Sequence, residues 1–233
     1  MSPSGRERPA PSGLVRHGRL TLPIAATLVR PYLYGAALAL HLRERVPCSP
    51  PCPAPFLPQA TAGREPLLEL AGRHLLSWFL NDCGHSTRAL DELHRAAPLY
   101  RLCRDTEPHL LRPWLEARIC RGLGELAAAE RGLVAVWHDF HMAGFARDLT
   151  LVSLDLADTY LAQAKPRHAL RLLKTFHTTL AHLQMHPEGM AAWLLLIQAA
   201  AGETAAAQAL TRRAALYFRR AWKRPMPFAP GTP

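Results

Sequence analysis

The segments CGHSTRALDEL (83–93), GELAAAERGL (124–133), AKPRHALRLL (164–173) and AGETAAAQAL (201–210) rhyme with one another, and that rhyme decides the fold. Each follows an apolar helical run and opens another. Aligning Ala89, Ala129, Ala169 and either Ala206 or Ala207 gives intervals of 40, 40 and then 37 or 38 residues. A period in this range belongs to helix-turn-helix units, which cannot bury their apolar faces alone and must stack to make a core. The expected fold is all-α, with about four helix pairs packed side by side. Such arrays bind partners more often than they transform them.

The local pattern agrees. Leu149, Val152, Leu156 and Tyr160 recur at three and four residues, as do Leu170, Leu173, Phe176 and Leu180, and no segment alternates with period two. Helices are predicted at 65–81, 86–104, 108–122, 125–143, 147–163, 166–184, 188–201 and 203–222. Gly84, Gly124 and Gly202 fall between the two helices of their pairs, where a positive φ would close a tight turn. Pro108, Pro166 and Pro187 stand at or near helix starts, where a missing amide hydrogen costs nothing.

Before the repeats, residues 1–19 are Pro, Ser, Gly and Arg without apolar period, a composition expected to be disordered. Residues 20–42 read as one or two short helices broken at Pro31. Six prolines in residues 46–59 make a stiff, extended linker. The chain therefore divides into a basic, Pro-rich, largely disordered segment (1–60), a helical repeat domain (61–224) and a disordered tail (225–233).

The net charge of +10 points to nucleic acid until it is located. Residues 1–45 hold seven Arg and two Glu, and residues 212–233 hold six basic side chains and no acid. The 166 residues between carry 15 basic and 16 acidic groups, so the repeat body is balanced. A nucleic-acid groove needs its charge on the binding face, and no nucleic-acid partner is expected. Arg212, Arg213, Arg219, Arg220, Lys223 and Arg224 interleave with Tyr217, Phe218 and Trp222 on the last helix. That pattern fits a capping helix with cations near its C-terminus, and also a stripe for an anionic surface.

Five cysteines (48, 52, 83, 103 and 120) in a chain too large to need staples read as reduced thiols in the cytoplasm. The apolar run at 32–40 is preceded by Arg30-Pro31 and followed by HLRER, so neither a signal peptide nor a membrane span is expected. CSPPC with His41 nearby offers three ligands at most, and His138 with His141 two, where a metal needs four, so no metal or other cofactor is expected. No Gly-rich phosphate loop, nucleophile elbow or H-E-x-x-H is present, and an enzyme with a small-molecule substrate is not expected.

The repeats resemble the tetratricopeptide repeat. The third unit carries the likeness best, with Leu156, Ala157 and Tyr160 on its first helix and Ala169 and Leu173 on its second. The first unit gives Leu76, Ser77, Leu80, Ala89 and Leu93, and the second Glu116, Ala117, Cys120, Ala129 and Leu133. Departures are the period above 34, no closing Pro, and Arg73, Pro113 or Ser153 where Trp is usual. More narrowly, PWLEARICRGLGEL and DLTLVSLDLADTYLAQ look like degenerate repeats of bacterial proteins that often carry a regulatory or DNA-binding module ahead of the array. The resemblance implies a right-handed α-solenoid, a protein or peptide partner on its concave face, and non-enzymatic scaffolding. The alternative it leaves open is the sensor arm of a bacterial transcriptional regulator.

In that architecture the concave face takes His74, Trp78 and Asn81 from the first unit, Trp114, Arg118 and Arg121 from the second, and Asp155 and Asp158 from the third. An aromatic beside two guanidiniums suits an acidic or carboxylate-ended peptide. The plain alternative is that Arg118 and Asp158, at equivalent positions of neighbouring units, pair across the groove.

Overall fold

Apolar residues spaced by three and four do become helices. The computed structural model describes residues 66–102, 106–202, 204–222 and 227–228. The expectations for residues 1–60, including the proline linker and CSPPC, lie outside these. Among the described residues there are eight α-helices and no strand: α1 (Pro66–Asp82), α2 (Ser86–Tyr100), α3 (Thr106–Gly122), α4 (Leu126–Ala143), α5 (Ala146–Ala162), α6 (Pro166–His182), α7 (Pro187–Ala201) and α8 (Thr204–Ala221). The helix predicted at 86–104 is too long by its last turn. It stops at Tyr100, two residues after Pro98, whose missing amide interrupts the hydrogen-bond ladder.

The turns repeat with the sequence. At Gly84 (φ 81°), Gly124 (φ 84°) and Ala164 (φ 57°) the chain is left-handed. The same two crossing bonds close each turn: Gly84 N to Asn81 O and His85 N to Leu80 O, Gly124 N to Arg121 O and Glu125 N to Cys120 O, Ala164 N to Leu161 O and Lys165 N to Tyr160 O. Together they satisfy carbonyls that a helix end leaves without partners. Gly144 (φ 72°) and Gln184 (φ 53°) repeat the device between successive pairs. Gly202 departs from expectation, with φ −108° and ψ −121°, so the last pair is joined by a different and shorter turn.

The second helix of each pair buries one stripe. It runs through Ala89, Leu93, Ala96 and Tyr100 in α2, Ala129, Leu133, Val136 and Phe140 in α4, and Ala169, Leu173, Phe176 and Leu180 in α6. In α8 it is Ala207, Thr211, Ala214 and Phe218, and no member of the four stripes is more than 2% exposed. Ala207, not the exposed Ala206, is therefore the fourth member of the series, which fixes the last interval at 38 residues. The alanines let the paired helices approach closely. Ser77 Oγ donates to the Ala89 carbonyl at 2.6 Å, and a Cβ at Gly132 would stand 2.8 Å from that of Ala117. Trp193 donates through Nε1 to the Leu173 carbonyl at 2.8 Å.

Consecutive helices pack on one another, and the first helices also meet, α1 with α3 and α3 with α5. The last pair breaks this order. It is α8 that packs broadly on α5 as well as on α7. As a result α5 is covered on nearly every side, with each residue from Asp148 to Thr159 buried. Of the C-terminal tail, Phe228 packs its ring against Tyr217.

His74 in α1 lies buried against the ring of Trp78, with Nδ1 hydrogen-bonded to the Tyr100 hydroxyl. Burial pushes its pKa down from 6.5 to about 4. The unfolded chain binds a proton there between these values and the folded chain refuses it, so stability is full above pH 6.5 and falls as the pH drops toward 4. The loss attributable to His74 is on the order of 3 kcal/mol. Denaturant titrations across this range should show that slope in the wild type and a flatter one in His74→Gln. Equal slopes would mean that His74 titrates as in water.

Candidate functional site

Residues three and four apart share a helix face. This spacing aims Trp78, Asn81 and Asp82 of α1, Trp114, Arg118 and Arg121 of α3, and Asp155 and Asp158 of α5 toward a common seam. At its centre Arg118, 5% exposed, bridges the helices on either side. Its NH1 group lies 2.7 Å from both oxygens of Asp155 and its NH2 group 2.7 Å from Asp82 Oδ1. The guanidinium lies over the Trp78 ring, 4.4 Å from the centroid, and Trp78 meets Trp114 edge to face at 5.1 Å. Trp114 Nε1 in turn donates to Asp155 Oδ2 at 2.8 Å.

Burial alone would discharge these groups. For Arg118 that penalty is outweighed by Asp155 and Asp82, and its pKa is held above the ordinary arginine value. For Asp155 burial is likewise the largest influence, but Arg118, Arg121 and Arg219 overcome it and hold the carboxyl below its ordinary range.

A second tier of charge surrounds this centre. Arg121 NH1 reaches Asp158 Oδ2 at 3.0 Å and Asp155 Oδ1 at 3.5 Å. From α8, Arg212 Nε approaches Asp158 Oδ2 at 3.5 Å. Arg219 reaches Asp82 at 3.9 Å and lies 5.2 Å from the Trp78 centroid, so the last helix touches the first. The Arg219 carbonyl accepts from Arg147 NH2 at 2.8 Å, which ties this part of α8 to the start of α5.

Between α1, α3, α5 and α8 remains a groove of about 490 Å³. Asn81, Asp82, Arg118, Arg121, Asp155, Asp158, Arg212 and Arg219 line it, with Leu126, Ala162, Ala215 and Leu216 among its apolar walls. Asn81 is fixed by Ser86 Oγ, which donates to its Oδ1 at 2.9 Å. Gly122 allows this arrangement, because a Cβ there would come within 2.1 Å of Ser86 Oγ.

Five of the eight residues expected on the concave face, namely Asn81, Arg118, Arg121, Asp155 and Asp158, line this groove. His74, Trp78 and Trp114 do not: they are buried in the core, Trp114 completely. Trp114 therefore supports the groove as core, with its indole committed to Asp155 and its edge to Phe140. The expected Arg118–Asp158 pair also takes a different form. Arg118 pairs with Asp82 and Asp155, while Asp158 pairs with Arg121 and Arg212.

Asp82, Gly122 and Ala162 were missed although they recur at 40-residue steps, one turn beyond Trp78, Arg118 and Asp158. Extending the count by that turn would have found them. Arg212 and Arg219 carry no such signal, because the placement of α8 against α5 departs from the repeat.

Among the described residues no group of three His, Cys, Asp or Glu is placed to hold a metal ion, and no helix is long and apolar enough to cross a membrane. No protein-family model, curated protein or solved structure matches the chain.

Removing one member of a buried ion cluster strands the others. Arg118→Met, which keeps much of the side-chain volume but leaves Asp82 and Asp155 facing each other, should cost about 3–5 kcal/mol in chemical denaturation. A loss below about 1 kcal/mol would mean that water screens the cluster.

Proposed function

We propose that the chain is a tetratricopeptide-like helical repeat array, a right-handed α-solenoid of about four pairs, that acts as a non-enzymatic scaffold. It holds a peptide or protein partner in the groove between α1, α3, α5 and α8. The observation that carries this reading is the groove itself. It is open to solvent, its polar floor is held by buried ion pairs, and its size suits a short piece of a partner.

The recurrence of one turn geometry at residues 84, 124 and 164, and of one buried stripe in α2, α4, α6 and α8, supports the repeat assignment. The carboxylates of the groove each face at least one guanidinium, an arrangement suited to recognition more than to proton transfer. The free thiol at Cys120 fits a reducing, cytoplasmic setting.

A photo-crosslinking residue placed at Leu216, in the groove wall, should capture a polypeptide in the source cell. The same group at the exposed Thr178 of α6 should not capture it. Ala162→Trp, which fills the groove from an exposed position, should abolish the groove adduct with little change in melting temperature. Identical adducts from both positions, or adducts insensitive to Ala162→Trp, would contradict the proposal.

A further inference from the structure

One buried acceptor in the groove stands without a donor. Asp158, 5% exposed, gives its Oδ2 to two guanidiniums, Arg121 NH1 at 3.0 Å and Arg212 Nε at 3.5 Å. Its other oxygen, Oδ1, is buried and finds no hydrogen-bond partner among the described residues. Folded proteins seldom leave a buried polar atom so, because the hydration it lost is not made good. A small turn about χ2, a broad torsion in aspartate, brings Oδ1 to the groove that this residue lines. Donors stand beside it. Arg212 comes from the facing helix α8 with its side chain 69% exposed, and its two terminal nitrogens donate to nothing among the described residues. The groove thus sets an unmatched acceptor next to unmatched donors.

We infer that the groove receives a neutral primary carboxamide, the group a glutamine side chain carries, whose N–H donates to Asp158 Oδ1 and whose C=O accepts from the Arg212 terminal nitrogens. Donor and acceptor must lie on one edge of the ligand, because Arg212 and Asp158 are already in contact. A primary amide has such an edge, with an N–H beside its own C=O. A trans peptide bond points the two in opposite directions. Charge selects the same group. A carboxylate would meet Arg212 but set its second oxygen against Oδ1, and an ammonium would enter a lining that already holds four guanidiniums against three carboxylates. Leu126, Ala162, Ala215 and Leu216 supply apolar wall for the methylenes that carry the amide.

This rests on the groove being the binding site proposed above, and it names the group recognised there. The acidic or carboxylate-ended peptide expected from the sequence does not fit.

Calorimetric titration of the full chain at pH 7 tests the inference with four probes. They are acetyl-Ala-Gln-Ala-N-methylamide, which has one primary amide and no charged end, the same peptide with Glu or with Leu in place of Gln, and propionamide. The Gln peptide should bind, and Glu or Leu should weaken it by roughly tenfold or more. Arg212→Ala should produce a similar loss at unchanged melting temperature, because the side chain is largely exposed. Asp158→Asn should bring the Gln and Glu peptides to near parity, since an amide there can donate to either ligand. A merely structural role for Asp158 would not move that ratio. Propionamide binding as tightly as the Gln peptide would identify a small free amide as the source of the group. A distinctly tighter peptide would identify a side chain of a polypeptide.

A Glu or Leu peptide that binds as well as the Gln peptide, an unaffected Arg212→Ala variant, an Asp158→Asn variant that keeps the preference for Gln, or no binding by any probe would each overturn the inference. If crosslinking at Leu216 still captures a partner sensitive to Ala162→Trp in that case, the scaffold proposal stands and only the carboxamide assignment falls.

Discussion

One buried guanidinium organises this molecule. Arg118 sits on the middle of three neighbouring helices and is neutralised by a carboxylate from each side, Asp82 of α1 and Asp155 of α5. Dehydrating an arginine costs several kcal/mol, which only short, well-aimed contacts can offset. The contacts meet that requirement at 2.7 Å, supported by the face of Trp78 beneath the charge and by the Trp114 indole on the far side of Asp155. Apolar packing could slide by a turn at modest cost. A charge that needs two specific partners cannot, and the cluster therefore sets the register of α1, α3 and α5.

The same cluster determines what this side of the helices offers. In a uniform stack the groove would run on past the last pair. Here the shorter turn at Gly202 and the packing of α8 on α5 bring the final helix across that side, where Arg219 meets Asp82 and Trp78 of the first helix. The groove becomes a bounded recess with four arginines from two helices, α3 and α8, and a wall of aliphatic side chains. The groove draws its lining from nearly both ends of the described helices, so the side chains that shape it also hold those helices together.

Much of the fold was legible because it is local. The helices, the alanines at 40-residue steps and the turns at Gly84 and Gly124 follow from periodicity and from the one residue type that accepts a positive φ without strain. The break at Ala164 was expected between the helices at 147–163 and 166–184, but its left-handed conformation was not, because the residue is not glycine. The candidate groove was legible in part. Helical spacing put Asn81, Arg118, Arg121, Asp155 and Asp158 on one face, and these five line one groove. It could not tell that Trp78 and Trp114 would lie in the core, since depth depends on how neighbouring helices converge. Arg212 and Arg219 looked like cations on a terminal helix, and their role follows from where that helix lands, a long-range contact that no local pattern encodes.

Asp82 and Asp155, on helices four apart in the chain, are coupled through Arg118. A double-mutant cycle with Asp82→Asn and Asp155→Asn measures that coupling directly. Either single change leaves Arg118 one carboxylate, whereas the pair leaves its charge buried without a counter-ion. The double variant should therefore lose more stability than the two singles together, by about 1 kcal/mol or more. Additivity within about 0.5 kcal/mol would mean that the two carboxylates act independently, and that Arg118 is not what fixes the register of the three helices.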